Sequence, residues 1–380
     1  MTLTPISRAA EAFFRDPDIT YFNTAAFGPG LTAVAAAGEA AARGRLRPWS
    51  IDFFTESDGL RAKAARLFNA SAEHIALVPA VSYGLAAAAK NLQLARGQEI
   101  VLLDGQFPSN VYCWRDAAAG WGARIVTVRR DSQGAWTDAV LDAVGPNTGL
   151  VAVPGTHWSD GGALDLNAIA QAVRACGAGL VLDLSQSLGA VPFDAAAVDP
   201  DFAVAAGYKW LLGPYSLGFL YVAERHWSGA GLEQNWIARK DPHDLSRLAE
   251  YRDGFEPGAR RYDMGERSNF QLVPMASTAL DQVLHWTPEA IGDALSGLTA
   301  RIADRLAPCG LTTEAEPLRS PHYLSFALPD GTPPDLVDRL RADGVHVSKR
   351  GPRLRVTGYL HTRADDIDRL EASLARVLGG

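Results

Sequence analysis

The chain is poor in cysteine, with three cysteines among 380 residues. Cys113, Cys176 and Cys309 are odd in number and lie far apart in the sequence. Disulfide frameworks and zinc sites need paired or closely spaced cysteines, so the sequence predicts neither. We therefore expect reduced thiols, no bound metal and a cytoplasmic protein.

The sequence also lacks an excess of positive charge and a long apolar run. Its formal net charge of −7 at pH 7 argues against a general affinity for nucleic acid or anionic membranes. No uninterrupted apolar stretch is long enough to span a bilayer, and no charged-then-apolar leader opens the sequence. No internal repeat or low-complexity segment is evident. We expect neither a nucleic-acid partner nor a membrane partner.

What the chain does contain is enough apolar sequence for a large core. Hydrophobic residues make up 47% of it, and a chain of this length exceeds the usual size of a single core. The predicted division is into an N-terminal arm, a large cofactor-binding domain and a smaller C-terminal domain: 1–20, 21–285 and 286–380. The C-terminal part has the alternation of an α+β lobe. Its predicted strands are 323–328, 345–349 and 354–357. Its predicted helices are 334–342 and 363–377.

The most informative stretch, residues 179–222, contains two short apolar runs, each followed by a charged residue. The run 179–182 ends on Asp183, and the run 202–206 is followed by Gly207, Tyr208 and Lys209. Short apolar runs between turn residues are typical of buried parallel strands. Asp183 and Lys209 would then stand at the carboxyl ends of neighbouring strands, where open α/β sheets bind their ligands.

An aspartate and a lysine in one crevice fit pyridoxal 5′-phosphate. The lysine amine can form a Schiff base with the aldehyde, and the carboxylate can keep the ring nitrogen protonated. Each residue alone is weak evidence, because a lone lysine is more often a solvated strand end and a lone aspartate a helix cap. The ordered combination is more specific. It consists of Asp-x-x-Gln-Ser at 183–187, Gly-Tyr-Lys-Trp at 207–210 and a Gly/Pro turn before the strand at 218–222.

This combination resembles the core of the class V aminotransferase family of fold type I pyridoxal-phosphate enzymes, in particular its cysteine desulfurase and kynureninase branches. The resemblance runs from about residue 21 to the C-terminus and is strongest at 151–222. It implies an α/β fold with a mainly parallel sheet flanked by helices and a smaller C-terminal α+β domain. It also implies that Lys209 carries the cofactor and that Asp183 contacts its ring.

The resemblance assigns further cofactor contacts near the N-terminal strands. The strand 75–78, a turn of small residues and a predicted helix at 85–92 make an anion site of free backbone N–H groups. The family holds the phosphate at this turn, which implies Val81 and Ser82, although Ser82 also suits a helix N-cap. Phe107 is implied to stack on the cofactor ring. Its alternative is a loop aromatic that covers the core.

Two more cofactor contacts are implied within the central segment. Gln186 matches the family position beside the ring oxygen and the imine, although it also suits an exposed residue at the start of a helix. Tyr208 resembles the phosphate-binding tyrosine of kynureninases, whereas desulfurases have histidine there. A phenol can donate a hydrogen bond to a phosphate oxygen.

The loops at 232–239 and 259–270 resemble family segments that cross a dimer interface. Alone, polar loops of this kind would be read as solvated surface. The resemblance implies that Trp236, Ser268 and Asn269 complete the phosphate site of a partner subunit. A homodimer with shared sites is therefore expected. Arg261 and Arg267 either help to neutralise the phosphate or form ion pairs.

The substrate side of the predicted site contains an arginine near the C-terminus. Arg355 resembles the family's substrate-carboxylate arginine, and a guanidinium matches a carboxylate geometrically. Arg350 and Arg353 compete with it. The strand end at 154–162 lacks the asparagine of desulfurases, and we expect one of Trp158, Ser159 and Asp160 to reach the site. The remaining substrate-side candidates are His157, which is otherwise a structural histidine, Asn23 and Ala25.

The reaction type depends on a missing residue. Desulfurases carry a nucleophilic cysteine shortly before the carboxylate arginine, whereas residues 347–353 contain none, so persulfide chemistry is not expected. On a small amino-acid substrate three outcomes remain: cleavage at Cβ, transamination and racemisation at Cα. The kynureninase-like Phe107 and Tyr208 favour a Cβ lyase acting through an external aldimine and a Cα carbanion, with an aminotransferase as the alternative. The presence of both Asp183 and Lys209 argues against a non-catalytic regulatory module.

Overall fold

A computed structural model describes residues 3–131 and 134–378. Within these ranges the chain forms thirteen strands and eleven α-helices. The strands are β1 (Thr20–Tyr21), β2 (Ile75–Val78), β3 (Glu99–Leu103), β4 (Arg124–Val128), β5 (Thr148–Pro154), β6 (Gly179–Asp183), β7 (Phe202–Ala206), β8 (Gly218–Val222), β9 (Thr312–Thr313), β10 (Leu324–Ala327), β11 (Val345–His346), β12 (Ser348–Arg350) and β13 (Arg353–Val356). The helices are α1 (Thr32–Gly44), α2 (Thr55–Leu67), α3 (Val81–Asn91), α4 (Ser109–Trp121), α5 (Trp136–Ala143), α6 (Leu166–Cys176), α7 (Ala195–Val198), α8 (Leu272–Trp286), α9 (Pro288–Leu306), α10 (Leu336–Ala342) and α11 (Ala364–Leu378).

A seven-stranded sheet forms the centre of the larger part of the molecule. Its strand order is β2-β8-β7-β6-β5-β3-β4. Strands β3 to β7 are parallel to one another, and β8 runs antiparallel to both of its neighbours. All parallel strands therefore end at one edge of the sheet. This arrangement confirms the predicted α/β class with a mainly parallel sheet.

Both faces of this sheet are covered, which explains why its strands are apolar without interruption. Alternate side chains of a strand point to opposite faces. Val151 and Val153 of β5 accordingly belong to one hydrophobic core, and Leu150 and Ala152 of the same strand belong to the other. Burying both faces of β6 and β7 in this way fixes their register and so fixes the residues that follow their carboxyl ends.

The C-terminal part contains a four-stranded antiparallel sheet in the order β12-β13-β10-β9. Helices α10 and α11 accompany it, and this confirms the expected α+β lobe. The structure divides the strand predicted at 345–349 into β11 and β12. The reason is a change of partner: β11 pairs with β1, whereas β12 pairs with β13.

The N-terminal segment joins the C-terminal part of the chain through β1. Thr20 and Tyr21 pair in parallel with Val345 and His346. The division of the chain at residues 20 and 285 stays a prediction. Across the described residues, we find no helix with the length and apolar character that crossing a membrane requires.

Candidate active site

A cavity of about 250 Å³ opens at the edge of the sheet where the parallel strands end. Residues that follow β2, β3, β5, β6 and β7 form most of its wall. Eight of the residues predicted from the sequence line it, namely Val81, Ser82, Phe107, Trp158, Asp183, Gln186, Tyr208 and Lys209. The structure thus brings together side chains that are separated by up to 128 positions in the chain.

Asp183 and Lys209 are the charged pair of this cavity. Asp183 ends β6, Lys209 follows β7, and these two strands are hydrogen-bonded neighbours. Asp183 is 6% exposed and Lys209 is 7% exposed. The backbone N–H of Ser185 donates to Asp183 Oδ1 at 3.0 Å and orients that carboxylate. Two buried opposite charges therefore face one cavity that is large enough for a small aromatic ring.

The environment of Lys209 favours its neutral amine. Burial lowers the pKa of Lys209 to about 8, because the charged form loses its hydration. The carboxylate of Asp183 acts in the opposite direction, and the positive charges of Arg355 and Arg350 lower the pKa further. An amine with such a pKa can attack a carbonyl and exchange protons near neutral pH.

This pKa predicts how the cofactor-free protein captures pyridoxal phosphate. Only the neutral amine attacks an aldehyde, so the rate of covalent capture should rise with pH through a midpoint of about 8. Stopped-flow absorbance between pH 6 and 10 measures this rate. The same measurement on an acetylated lysine peptide corrects for titration of the cofactor itself. A corrected midpoint near the ordinary lysine value of about 10.4 would contradict the prediction.

One end of the cavity is built by the start of α3. This helix begins at Val81, four residues earlier than predicted, and its N-cap residue Ala80 makes no side-chain capping bond. The first backbone N–H groups of a helix have no intrahelical acceptor, so those of Val81 and Ser82 are free to bind an anion. Ser82 is therefore not the N-cap, and its hydroxyl faces the cavity.

Aromatic rings form another part of the wall. Lys209 Nζ lies 5.4 Å from the ring centre of Phe107 and 5.8 Å from that of Tyr208. Phe107 is 37% exposed and meets the ring of Trp158 edge to face at 5.4 Å. A half-exposed ring at a cavity wall is available for stacking on a flat ligand. Burial raises the pKa of the Tyr208 hydroxyl, which keeps that hydroxyl protonated as a donor.

Gln186 is held rigidly at the cavity wall. Its Nε2 donates to the backbone oxygen of Ala25 at 2.9 Å, and its Oε1 accepts from Trp210 Nε1 at 2.9 Å. Ala25 is buried behind Gln186. Asn23 forms a parallel bridge with Thr357. Neither Asn23 nor Ala25 is among the described residues that line the cavity, and Ala25 acts on it only through Gln186.

At the end of β5, only Trp158 of the three candidates at 158–160 lines the cavity. His157 is buried and stacks on Trp136, with its ring nitrogens facing Asp160 Oδ1 at 3.0 Å and the Asp104 carbonyl at 3.2 Å. Ser159 Oγ lies 3.2 Å from the same imidazole. His157 therefore has the contacts of a structural histidine.

Asp160 is directed away from the cavity, into an ion-paired cluster. Burial alone would raise the pKa of Asp160, but hydrogen bonding to His157 and the charge of Arg130 at 3.0 Å bring the pKa well below its usual range. This pairing anchors the turn that presents Trp158.

Arg355 is the arginine whose environment best fits a carboxylate ligand. It is 1% exposed. Its Nε donates to Ser348 Oγ at 2.9 Å and its Nη1 to the Trp158 carbonyl at 2.9 Å. Its Nη2 is buried without a hydrogen-bond partner among the described residues. Arg353, by contrast, is ion-paired with Glu314 at 3.3 Å, so it is not available for a substrate.

The three residues predicted to serve a partner subunit lie away from their own chain's cavity. Trp236 is 38% exposed and packs edge-on against Phe53. Ser268 Oγ donates to the Phe53 carbonyl, and Asn269 Oδ1 accepts from the first N–H groups of α8. Arg267 is buried in ion pairs with Asp58 and Asp263, and Arg261 donates to the Gly229 carbonyl. These loops line a separate surface depression that contains the exposed ring of Trp236 and the partly buried rings of Phe53 and Phe270.

Gly28 packs against the backbone of Tyr208 and Lys209, and the sequence does not predict this contact. The backbone N–H of Gly28 donates to the Tyr208 carbonyl at 2.8 Å. A Cβ at position 28 would lie 2.1 Å from the Lys209 carbonyl oxygen. The Gly28-Pro29-Gly30 turn was visible in the sequence, but no local signal shows which glycine faces the lysine.

Comparison with known proteins establishes the family. The sequence model of the family described as Aminotransferase class-V matches residues 40–365. The chain belongs to the class V aminotransferase family. Members of this family are enzymes that bind pyridoxal phosphate, so this chain is a pyridoxal-phosphate-dependent enzyme.

Individual family relatives have different activities. Isopenicillin N epimerase of Streptomyces clavuligerus is 28% identical over 387 aligned residues, which cover 96% of this chain and 96% of the relative. Kynureninase of Deinococcus radiodurans is 33% identical over 237 aligned residues, which cover 61% of this chain and 54% of the relative. The solved structure of a C-DES mutant with glycine covalently linked to its PLP cofactor has a TM-score of 0.86 at 20% identity, covering 95% and 97% of the two chains. This last likeness shows a shared fold.

The cavity of this class V family member fits the cofactor in charge and in shape. Asp183 and Lys209 are both buried in its wall, and the start of α3 supplies free N–H groups for a phosphate. No group of three or more potential metal ligands occurs in the described ranges. The described wall offers an amine, a carboxylate and free backbone N–H groups, which fit an organic, phosphorylated cofactor in charge.

The described wall of the cavity contains no cysteine. Burial raises the pKa of the Cys113 thiol to about 12, so this thiol stays protonated. Strands β12 and β13 are joined by the two residues Gly351 and Pro352, and such a short turn cannot carry a mobile cysteine loop.

Proposed function

We propose that this class V enzyme acts on a small α-amino acid and cleaves a bond at Cβ without a thiol nucleophile. The observation that carries the proposal is the single amine of the described cavity wall, Lys209, buried beside Asp183 with its pKa lowered to about 8. One amine that exchanges protons near neutral pH suffices for deprotonation at Cα and protonation of a departing group.

The proposed roles on the cofactor side follow from position. Lys209 binds the aldehyde carbon covalently, Asp183 holds the ring nitrogen in its protonated form, and Phe107 covers the ring face. The phosphate is held by Val81, Ser82 and the hydroxyl of Tyr208. When bound, pyridoxal phosphate supplies an electron sink for the bonding electrons of the substrate's Cα. Gln186 borders the same ring, fixed by Ala25 and Trp210.

The substrate side of the mechanism rests on Lys209 and Arg355. The free Nη2 of Arg355 binds the α-carboxylate, and this contact sets which Cα bond faces Lys209. The Lys209 amine takes the Cα proton and returns a proton to the group that leaves Cβ. In an elimination the Cα–H and Cβ–X bonds break, a Cα–Cβ double bond forms, and hydrolysis yields pyruvate, ammonium and HX.

Replacing Arg355 with lysine tests the carboxylate contact. Lysine keeps the positive charge but lacks the planar guanidinium group. In Arg355 that group donates to Ser348 through Nε and to the Trp158 carbonyl through Nη1, and its Nη2 stays available for a ligand. We expect kcat/KM to fall about 10- to 100-fold, mainly through KM, because a buried charged hydrogen bond is lost. Steady-state kinetics with the best substrate measure this.

The matched control for that variant is Arg353→Lys, two residues away on the same strand. Arg353 is ion-paired with Glu314 and is not assigned to the substrate. We therefore expect Arg353→Lys to leave KM within about twofold of the wild-type value. Equal effects of the two replacements on KM would contradict the role of Arg355.

Epimerisation at Cα is the second candidate, because the end-to-end similarity to an isopenicillin N epimerase supports it. A two-base epimerase needs proton donors on both faces of Cα. The described wall holds Lys209 as its one amine and includes no histidine. The wall also holds the phenols of Tyr208 and Tyr215, so an epimerase would use Lys209 and one of these tyrosines as its two acid–base groups.

A panel of amino acids decides between these reactions. The purified holoenzyme is incubated with serine, cysteine, O-acetylserine and a β-acyl alanine, and pyruvate and alanine are quantified. Chiral chromatography in deuterated water reports inversion at Cα, and absorbance reports conversion of the cofactor to its amine form. Release of pyruvate or alanine is the expected result. Inversion without release would establish an epimerase, and stoichiometric amine-form cofactor an aminotransferase.

The loops around Trp236, Ser268 and Asn269 support a proposed homodimer. The exposed ring of Trp236 would be covered by a second copy, and the polar groups of these loops would reach the phosphate end of its cavity. Light scattering on the purified protein is expected to give twice the mass of the 40.6 kDa chain. A monomeric mass with full activity would contradict the shared site.

A further inference from the structure

One face of the β12–β13 hairpin carries three arginines. Arg350 pairs with Arg353 across the hairpin, and Ser348 pairs with Arg355. Residues two apart on a strand share a face, and so do directly paired residues, so all four side chains are on one face. Three guanidinium groups this close repel one another unless anions neutralise them.

Only one of the three is neutralised within the described part of the protein. Arg353 forms an ion pair with Glu314, and its Nε donates a hydrogen bond to Ser325 Oγ. Arg355 has no carboxylate partner among the described residues, and its Nη2 is buried and unpaired. Arg350 donates from Nη1 to the Lys349 carbonyl at 2.7 Å and forms no ion pair in the same ranges. Two positive charges therefore remain uncompensated.

Neither uncompensated arginine is among the described lining residues, but both guanidinium groups lie near Trp158, which does line the cavity. The Cζ atoms of Arg350 and Arg355 are 5.6 and 5.7 Å from the ring centre of Trp158, which lines the cavity. Burial and the charge of Arg355 lower the pKa of Arg350, which shows how close the two cations are. The same two charges act on Lys209, so their field extends into the cavity.

We propose that the substrate carries a second anionic group on its side chain, held by Arg350, while Arg355 holds the α-carboxylate. This inference rests on the proposed function. The α-carboxylate of the substrate neutralises one of the two cations, Arg355, by accepting a hydrogen bond from its free Nη2. The other cation, Arg350, has no anionic partner among the described residues, and a half-buried guanidinium with free Nε and Nη2 groups suits a carboxylate, sulfonate or phosphate. The substrate class is thus an acidic α-amino acid or an amino acid with an acidic substituent beyond Cβ.

The test compares amino acids that differ only in side-chain charge. Dissociation constants of aspartate, glutamate and 2-aminoadipate are measured by absorbance titration of the holoenzyme, beside asparagine and glutamine. Isothermal titration of the cofactor-free protein with glutarate and with butyrate gives a readout that is independent of turnover. We expect at least one acidic member to bind tenfold or more tightly than its amide, and glutarate to bind more tightly than butyrate. The preference should weaken with added salt.

Arg350→Gln is the decisive variant and Lys349→Gln is its matched control. Lys349 is the neighbour of Arg350 in β12 and has the same charge, but it is on the opposite face of the hairpin. Arg350→Gln should reduce the acid-over-amide preference to twofold or less and leave amide binding unchanged. Lys349→Gln should retain the preference, and Arg350→Glu should reverse it towards lysine or ornithine.

The outcomes separate this inference from the proposed function. If amides perturb the cofactor spectrum as strongly as acids do and Arg350→Gln changes nothing, the acidic substrate class is wrong and the lyase proposal stands. If no amino acid of either kind perturbs the spectrum, the proposed function fails first. An acid preference that survives Arg350→Gln would assign the second anion to another cation and overturn the role of Arg350.

Discussion

Lys209→Ala is expected to lower kcat by about 10⁴-fold or more. The residue is assigned two tasks, covalent attachment of the cofactor and proton transfer at Cα, and general acid–base catalysis alone contributes roughly 10² to 10⁴. Alanine removes the one amine of the described cavity wall. The variant should still fold, because Lys209 follows β7 at the cavity wall and belongs to neither hydrophobic core.

Borohydride reduction gives the structural readout for this prediction. In the wild-type holoenzyme it should fix the cofactor on the peptide that contains Lys209, located by mass spectrometry. Lys90→Ala is the control, since Lys90 is exposed and donates to the Gly231 carbonyl at 2.9 Å, outside the cavity. A Lys209→Ala enzyme that keeps a tenth of wild-type turnover, or label found on another lysine, would refute the assignment.

Gly28→Ala should lower kcat/KM by about 100-fold or more, although residue 28 makes no side-chain contact with substrate or cofactor. The added Cβ would stand 2.1 Å from the Lys209 carbonyl oxygen, about 1 Å inside the distance at which such atoms touch. The obstacle is backbone, so either the turn at 28–30 or Lys209 itself must move. A misplacement of about 1 Å at a reacting group can cost 10²-fold in rate.

Gly30→Ala is the matched control for this variant. An added Cβ at position 30 meets no atom within 4 Å, so activity and cofactor affinity should equal those of the wild type. For Gly28→Ala, we expect weaker retention of pyridoxal phosphate on dialysis and a thermal midpoint of the cofactor-free protein within a few degrees of the wild type. Wild-type cofactor retention and turnover in Gly28→Ala would show that the contact does not position Lys209.

The central sheet could be predicted because its signal is local. The apolar runs of β6 and β7 are continuous, which is typical of strands buried on both faces. Asp183 is the last residue of β6, and Lys209 follows the end of β7 by three residues. Parallel strands end at a common edge, so Asp183 and Lys209 had to lie near each other once the two strands paired. The start of α3 was predicted four residues late, because Pro79, Ser82 and Gly84 are typical of a turn, although Ser82 and Gly84 lie in the first helical turn.

The substrate side was harder to predict because its signal is not local. His157, Trp158, Ser159 and Asp160 are consecutive polar and aromatic residues, and any of them could have reached the cavity. Trp158 is the residue that lines the cavity because its neighbours are held elsewhere. His157 stacks on Trp136, and Asp160 is ion-paired with Arg130. The dimer roles of Trp236, Ser268 and Asn269 stay predictions.

The sequence alone determined the strands, their buried faces and the kind of chemistry at their ends, because hydrophobic periodicity and residue type act over a few positions. The tertiary structure decided which distant groups meet. It set Gly28 against Lys209, Ala25 behind Gln186, and the guanidinium groups of the β12–β13 hairpin against Trp158. These contacts join residues that are about 160 to 200 positions apart, and their geometry follows from how the sheet, the N-terminal turn and the C-terminal hairpin pack against one another.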